Sequence, residues 1–270
     1  MKIFASAIEA VSIKKDGERL YFAKYLVDKG VKLKWNLLSY YYLRNHYDNA
    51  LFIRDNSELV IIDSGAHTFQ FGKKVDFEAY TKQYAEFIKH FDSDNVVGYF
   101  EMDIENVIGY EKVLYLREIL ESVSDKIIPV WHPNRGIDDY LSMCQRYAGK
   151  VVAIGGFRRT DIKDNQFIMF LKTAKKYGCK VHCLGMTRTE ILDKVPFDFT
   201  DSATWITAAN MGHPLINGRQ PMQARRNKGG ICFRKATGED KFGQFLYNYR
   251  DFQNSLQDKY YKKWVFECHD

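Results

Sequence analysis

Short apolar runs alternate along the chain with longer segments in which apolar residues recur every three or four positions. The short runs are bounded by turn-forming residues and predict eight β-strands, at 2–6, 35–40, 59–62, 96–102, 127–131, 151–154, 180–183 and 198–200. The longer segments predict helices that bury one face, at 77–91, 110–123, 138–147 and 167–177. The pattern therefore indicates a repeated strand–helix unit.

Two of the predicted strands, LVII at 59–62 and VVAI at 151–154, are apolar on both faces. Such strands belong to parallel sheets that are covered by helices. Eight strand–helix units close most simply into a (β/α)8 TIM-type barrel, an α/β fold, and an open doubly wound sheet is the alternative. The character of the chain changes after Gly212, so we expect a barrel at 1–212 and a basic, aromatic C-terminal extension at 213–270.

Composition narrows the classes of protein that fit. A chain of 270 residues, 46% of them hydrophobic, suits one large core, and its net charge of +6 suits a phosphate-bearing partner without identifying one. The five cysteines include no CxxC pair, which disfavours a disulfide framework or a zinc site and favours the cytoplasm. No apolar segment approaches the ~20 residues that span a bilayer. We expect no metal and no membrane partner.

Polar motifs follow six of the predicted strands, where functional groups of parallel α/β folds gather. In chain order they are Asp63-Ser64-Gly65-Ala66, Glu101-Met102-Asp103, Trp131-His132, Gly155-Gly156, Leu184-Gly185-Met186 and Thr200-Asp201-Ser202. In a barrel these motifs converge on one rim. Burial and mutual repulsion among the carboxylates would raise one pKa towards neutrality, where proton transfer is efficient.

Asp63 and Asp201 each have an ordinary explanation, an Asx turn or a helix cap, and for an isolated aspartate that explanation is the better one. Sugar chemistry, however, uses a carboxylate nucleophile that attacks the anomeric carbon and a second group that resolves the covalent intermediate. The two aspartates match that requirement in type. A retaining carbohydrate hydrolase meets it as well and stays an alternative.

Other rim residues also carry two interpretations. Asp103 either accepts NH groups of a guanine edge or lies in a solvated loop. Gly155-Gly156 makes a strand-to-helix turn or lets a flat ring approach the backbone. His132 is a loop residue or a base contact, and Phe69 is core packing or a stacking platform.

A cluster of basic residues follows the last predicted strand. It contains Arg219, Arg225, Arg226 and Lys228, followed by Arg234 and Lys235. Such a cluster is either a solvated surface or a set of phosphate contacts, and its density favours the phosphate contacts slightly.

Taken in order, the motifs DSGA, MD, PVWH, IGG, LGM and FDFTDS resemble those of the queuine tRNA-ribosyltransferase family and its DNA-modifying relatives in phages and bacterial islands. The resemblance covers roughly residues 59 to 205. It implies that Asp201 is the nucleophile that attacks C1′, that Asp63 is the general acid/base and that Asp103 binds a guanine-like base. By the same resemblance the base pocket would contain Ser64, Gly65, Phe69, His132, Gly155, Gly156, Leu184 and Gly185.

The sequence departs from the tRNA enzymes of that family at three points. It lacks their CxCxxC zinc motif, His132 stands where they have Gln, and His67-Thr68 displaces the aromatic residue that follows DSG. The zinc-free form resembles the DNA 7-deazaguanine transglycosylases, which exchange guanine in DNA for a base such as preQ0 after extruding the nucleotide. DNA and a free 7-deazaguanine base are thus the expected partners, without a cofactor, and a homodimer is allowed. Action on tRNA and a barrel that only binds nucleic acid are the alternatives.

Overall fold

Parallel strands form one continuous sheet in the computed structural model, which describes residues 1–69, 75–155, 162–219 and 239–266. In chain order the strands are β1 (Lys2–Ser6), β2 (Ser12–Lys15), β3 (Glu18–Tyr21), β4 (Leu33–Ser39), β5 (Ser57–Asp63), β6 (Val96–Phe100), β7 (Ile127–Ile128), β8 (Val130–Trp131), β9 (Val151–Ile154), β10 (Lys180–Cys183) and β11 (Phe199–Ser202). All except β2 and β3 belong to this sheet.

The sheet closes on itself through a strand that is interrupted once. Its order is β7-β6-β5-β4-β1-β11-β10-β9-β8, and β7 and β8 are separated only by Pro129, which has no N–H to donate. Because β7 pairs with β6 and β8 pairs with β9, the two halves of this strand join the ends of the sheet. The predicted TIM-type barrel is confirmed, and the open sheet is excluded.

Helices cover the outside of this barrel. They are α1 (Phe22–Asp28), α2 (Tyr40–Leu43), α3 (Tyr47–Asn56), α4 (Phe77–Phe91), α5 (Glu105–Ile108), α6 (Tyr110–Glu121), α7 (Gly136–Arg146), α8 (Phe167–Lys176), α9 (Thr189–Leu192), α10 (Thr204–Asn210), α11 (Glu239–Phe252) and α12 (Lys259–Phe266). The helix predicted at 77–91 has those bounds, and Asp76 caps it by accepting the N–H of Ala79 at 3.0 Å.

The elements that were not predicted include two groups between β1 and β5. One is the antiparallel hairpin of β2 and β3, which turns at Asp16 (φ 49°) and Gly17 (φ 86°). Positive φ at both turn positions is typical of a two-residue hairpin connection. The other is the pair of helices α2 and α3 between β4 and β5.

Apolar side chains fill the barrel and the layer around it. A cluster that includes Phe4, Leu37, Phe100 and Phe199 occupies the interior. Neighbouring strand residues such as Ile3 and Ala5 alternate outwards and pack against the helices. This alternation also turns polar residues at the strand ends into the barrel mouth.

The C-terminal helices share the core of the barrel. Phe242, Phe245 and Tyr249 of α11 contact the ring of Phe22, and the last two also contact Trp205. A π-helical segment, Gln253–Asp258, continues α11 into α12. The described part of the predicted extension is therefore packed on the barrel.

Candidate active site

Asp201 lies at the carboxyl end of β11, one residue before the strand ends. Its Oδ1 accepts hydrogen bonds from the backbone N–H of Gly185 and from Nε2 of His182, both at 2.9 Å, and its Oδ2 accepts one from the Ser6 hydroxyl at 3.0 Å. The side chain is 14% exposed. These contacts from β1, β10 and the turn after β10 fix the carboxylate in one orientation at the barrel mouth.

His182 is buried inside the barrel beneath Asp201. Its ring contacts Phe4, Phe100 and Phe199, with centroids 5.1 to 6.4 Å apart. Nδ1 has no hydrogen-bond partner among the described residues, so Nε2 is the ring nitrogen that bonds to Asp201. Sequence patterns did not single out His182, because any inward residue of an apolar strand looks like core.

Asp63 ends β5 and begins the turn that the DSG motif predicted. Oδ2 accepts the N–H of Gly65 at 3.0 Å, which is the contact of an Asx turn. Gly65 has φ 74°, and a Cβ there would lie 2.9 Å from both the backbone nitrogen of Tyr41 and the Ser39 hydroxyl. The glycine is therefore required by both the turn and the close approach of the next chain segment.

Electrostatics distinguish Asp63 from an ordinary turn residue. Burial raises its pKa most, and repulsion from Asp103 and Asp201 raises it further. Hydrogen bonds from Gly65 and Ser39 lower it, and the resulting pKa is about 7. The aspartates predicted to meet at the rim are thus close enough to repel one another. A carboxyl with this pKa can both donate and accept a proton near neutral pH.

Glu9 is a fourth carboxyl at this rim, and no sequence pattern pointed to it. Oε1 accepts the N–H of Ser39 at 2.9 Å, whereas Oε2 is buried without a hydrogen-bond partner in the described parts of the chain. Burial and repulsion from Asp63 raise the pKa of Glu9 to about 7, although backbone hydrogen bonds lower it. Glu9 thus adds a second group that exchanges protons near neutrality.

His132 is in direct contact with both Asp103 and Gly155. Nε2 of His132 lies 2.6 Å from Oδ1 of Asp103, and a Cβ on Gly155 would lie 2.5 Å from Nδ1 of the imidazole. Burial lowers the pKa of His132, but the hydrogen bond and the charge of Asp103 outweigh it and raise the pKa overall. Gly155 accommodates a flat ring, as its sequence context suggested, but here the ring is that of His132.

The remaining predicted pocket residues have varied surroundings. Leu184 packs against the interior cluster, and Ser64 is buried with its carbonyl accepting the Tyr80 hydroxyl at 2.7 Å. Phe69 is 4% exposed and packs edge-on against Tyr80, so its ring is core packing rather than an open platform. Gly156 lies outside the described residues.

Glu101, a neighbour of Asp103 in sequence, points away from the mouth. It is buried between sheet and helix, where Arg117 donates from Nε at 2.6 Å and from Nη2 at 3.1 Å. Its Oε1 also accepts the N–H of Val130 at 2.5 Å, just beyond Pro129. Glu101 therefore supports the interrupted strand and is not a rim group.

The predicted basic cluster is only partly described. Arg219 lies beside Leu256 and Lys259, near helices that pack on the beginnings of β1 and β4. This end of the barrel is opposite to Asp201. Arg225, Arg226 and Lys228 lie outside the described residues.

Two other kinds of feature are absent from the described ranges. They contain no cluster of three or more His, Cys, Asp or Glu residues that could hold a metal ion. Within the same ranges, no helix has the length and apolar character needed to cross a membrane.

Comparisons with known proteins add little to this geometry. No family model matches the sequence, and no curated protein matches it. Among solved structures, it is similar to orotidine 5′-phosphate decarboxylase from Thermotoga maritima, with 12% identity, a TM-score of 0.41, and coverage of 76% of this chain and 92% of that chain. A likeness at this level assigns no function.

Proposed function

We propose that the protein exchanges a guanine in DNA for a free 7-deazaguanine base such as preQ0 through a covalent intermediate on Asp201. The observation that carries this proposal is the arrangement at the barrel mouth. A carboxylate held by three hydrogen-bond donors lies close to a second carboxyl, Asp63, whose pKa is about 7. These are the nucleophile and the acid/base that glycosyl transfer requires.

In the first step, a carboxylate oxygen of Asp201 attacks C1′ of the extruded nucleotide. The new C1′–O bond forms as the C1′–N9 bond breaks, and the electron pair of that bond leaves with guanine. Neutral Asp63 supplies the proton that the departing base takes up. The Ser6, His182 and Gly185 donors orient the attacking carboxylate and stabilise it again as a leaving group.

The second step reverses these roles. Ionised Asp63 takes the N9 proton of the incoming base, N9 attacks C1′, and the Asp201 carboxylate is released. Two displacements at C1′ retain the configuration of the sugar. The cycle is balanced without an oxidant, a metal ion or a cofactor.

Asp103 is the proposed acceptor for the base. Its Oδ1 is paired with His132, which leaves Oδ2 for the NH groups of a guanine-like ring. His132 stands where the family that the sequence resembles has a glutamine. We therefore expect His132 to affect binding of the base, either through Asp103 or by direct contact with the ring of the base.

Incorporation of a labelled base tests this proposal. Wild-type protein is incubated with duplex DNA or tRNA and a radiolabelled 7-deazaguanine base, and label in the polymer is measured. We expect label in DNA, a loss of roughly 10³-fold or more in Asp201→Asn, and a covalent protein–DNA adduct that depends on Asp201. Asp94→Asn, at an exposed aspartate, is the matched control and should behave as wild type.

The outcomes separate the candidate functions. Label that enters tRNA but not DNA would move the activity to tRNA. Binding of nucleic acid without label or adduct, unchanged in Asp201→Asn, would leave only a binding barrel. Release of free sugar from glycosides would instead indicate a carbohydrate hydrolase.

A further inference from the structure

The hairpin of β2 and β3 lies on the same side of the barrel as Asp201. It follows β1, whose last residue, Ser6, donates its hydroxyl to Asp201. At the end of the hairpin, the Tyr21 hydroxyl lies 3.0 Å from Nδ1 of His46, a residue in the segment that follows β4. The hairpin thus follows β1 at the barrel mouth and contacts the segment that follows β4.

Two basic residues face each other across this hairpin. Lys14 pairs directly with Arg19 in the antiparallel register, and both side chains are exposed. Like charges directly opposite one another destabilise a two-stranded ribbon. The next pair towards the turn, Lys15 with Glu18, has opposite charges, so the unfavourable pair is specific to one register position.

The segment after β4 extends this basic surface. Nη1 of Arg19 lies 3.0 Å from Nε2 of His46, so its side-chain partner is a ring nitrogen rather than a carboxylate. Arg44, two residues earlier, stacks on Tyr41 and Tyr80 at 5.0 and 5.4 Å and has no carboxylate within ion-pair distance in the described ranges. The neighbouring Tyr42 is 45% exposed.

From this geometry we infer that the hairpin 12–21 and the segment 41–46 form a nucleic-acid-binding surface beside the mouth. We name it the hairpin surface. Lys14, Arg19 and Arg44 contact backbone phosphates, and Tyr42 offers a ring to a flanking base. The inference rests on the proposed function, because it supplies the contacts that position a polynucleotide over Asp201.

The chemistry of the hairpin surface favours nucleic acid over an anionic membrane. Guanidinium groups and exposed aromatic rings are the pair of contacts that phosphates and bases use. Acidic Asp16 at the tip of the hairpin would oppose insertion of that tip into anionic headgroups. A strand lying along the hairpin meets Lys14 and Arg19 instead.

Salt-dependent binding tests the hairpin surface. The full chain is titrated against fluorescein-labelled duplex DNA and anisotropy is followed between about 50 and 200 mM NaCl. Lys14→Ala/Arg19→Ala should weaken binding by roughly tenfold and reduce the slope of log K against log salt by about 2. Arg44→Ala, outside the hairpin, should reduce that slope by about 1, which keeps the test valid if the double variant folds poorly.

Lys175→Ala/Lys176→Ala is the matched control, since it removes two exposed positive charges at the far end of α8. It should bind DNA as wild type does. Equal weakening in both double variants, no DNA binding by wild type, or binding to phosphatidylserine vesicles but not DNA would each overturn the inference.

The same variants separate the inference from the proposed function. Hairpin-dependent DNA binding with no incorporation of any base tested supports the surface and overturns base exchange. Asp201-dependent incorporation with an unchanged KM for DNA in Lys14→Ala/Arg19→Ala overturns the surface and leaves base exchange intact.

Discussion

Glu9 is buried and Asp63 is half-buried at the same rim, and both carboxyls have raised pKa values. Ser39 connects them, since its backbone N–H donates to Glu9 and its hydroxyl bonds to Asp63. Each carboxyl is ionised only at a cost in solvation and mutual repulsion. A protein retains such strained groups where their proton exchange is used, which fits the role proposed for Asp63.

The pH dependence of stability has a definite sign here. Glu9 has a pKa of about 7 in the folded protein and an ordinary value of 4.5, so between these values the folded state binds more protons than the unfolded state. Stability therefore falls as pH rises from about 4.5 to 7 and levels off above. The loss assigned to Glu9 is on the order of 3 kcal/mol.

Glu9→Gln should remove that loss while keeping an acceptor for the Ser39 N–H. We expect a melting temperature several degrees above wild type at pH 8 and equal to it near pH 4.5, by calorimetry. The exposed Glu58→Gln is the control and should follow wild type at both values. Because Glu9 and Asp63 repel each other, loss of the Glu9 charge should also lower the pKa of Asp63 and shift the alkaline limb of the proposed base exchange to lower pH. Identical melting curves for Glu9→Gln and wild type at pH 8 would contradict this account.

At the scale of elements, the turns after the strands determine the site. The turn after β9 passes close to the segment after β8, and because Gly155 has no side chain, the His132 ring fits between them. In this position the ring bonds to Asp103. The backbone at Gly155 does not have the positive φ that would itself require glycine. Its role is thus steric and depends on its neighbour.

A double-mutant cycle tests that dependence. Gly155→Ala should cost about 1–3 kcal/mol of unfolding free energy in urea, because the new methyl overlaps the imidazole. In a His132→Ala background the same substitution should cost less than about 0.5 kcal/mol, giving a coupling energy above about 1 kcal/mol. Equal costs in both backgrounds would show that the two residues do not share this space.

The sequence predicted the strands well and the contacts at their ends less well. Apolar runs locate β1, β9 and β10 at their observed bounds, because a buried parallel strand needs such a run and little else. An Asp-Gly pair such as Asp16-Gly17 is typical of a hairpin turn, but this hairpin was not predicted because the strands on either side are too polar to resemble core strands. The roles of three residues can be recognised only in the folded barrel, where β1, β4, β10 and β11 come together. These residues are Ser6, Glu9 and His182. Their roles depend on partners up to 195 positions away in sequence.

At the scale of the whole molecule, the C-terminal helices complete the barrel. Six of their side chains, Phe242, Phe245, Tyr249, Phe252, Leu256 and Tyr260, are at most 2% exposed and belong to the main core cluster. Nε2 of Gln257 also donates to the carbonyls of Ile3 at 2.8 Å and Trp35 at 3.1 Å. The core of the barrel therefore continues beyond the change of composition after Gly212.

Truncation after Gly212 tests that continuity. Burial of a large apolar side chain stabilises by about 1.5–3 kcal/mol, so the six side chains together contribute on the order of 10 kcal/mol. The total stability of a domain is only about 5–15 kcal/mol, so the chain 1–212 should lose its near-ultraviolet circular dichroism and melt without cooperativity. Truncation after Phe266 removes none of these side chains and should melt as the full chain does. A cooperative transition in 1–212 would show that the barrel is a separate domain, with the extension packed on it as an independent layer.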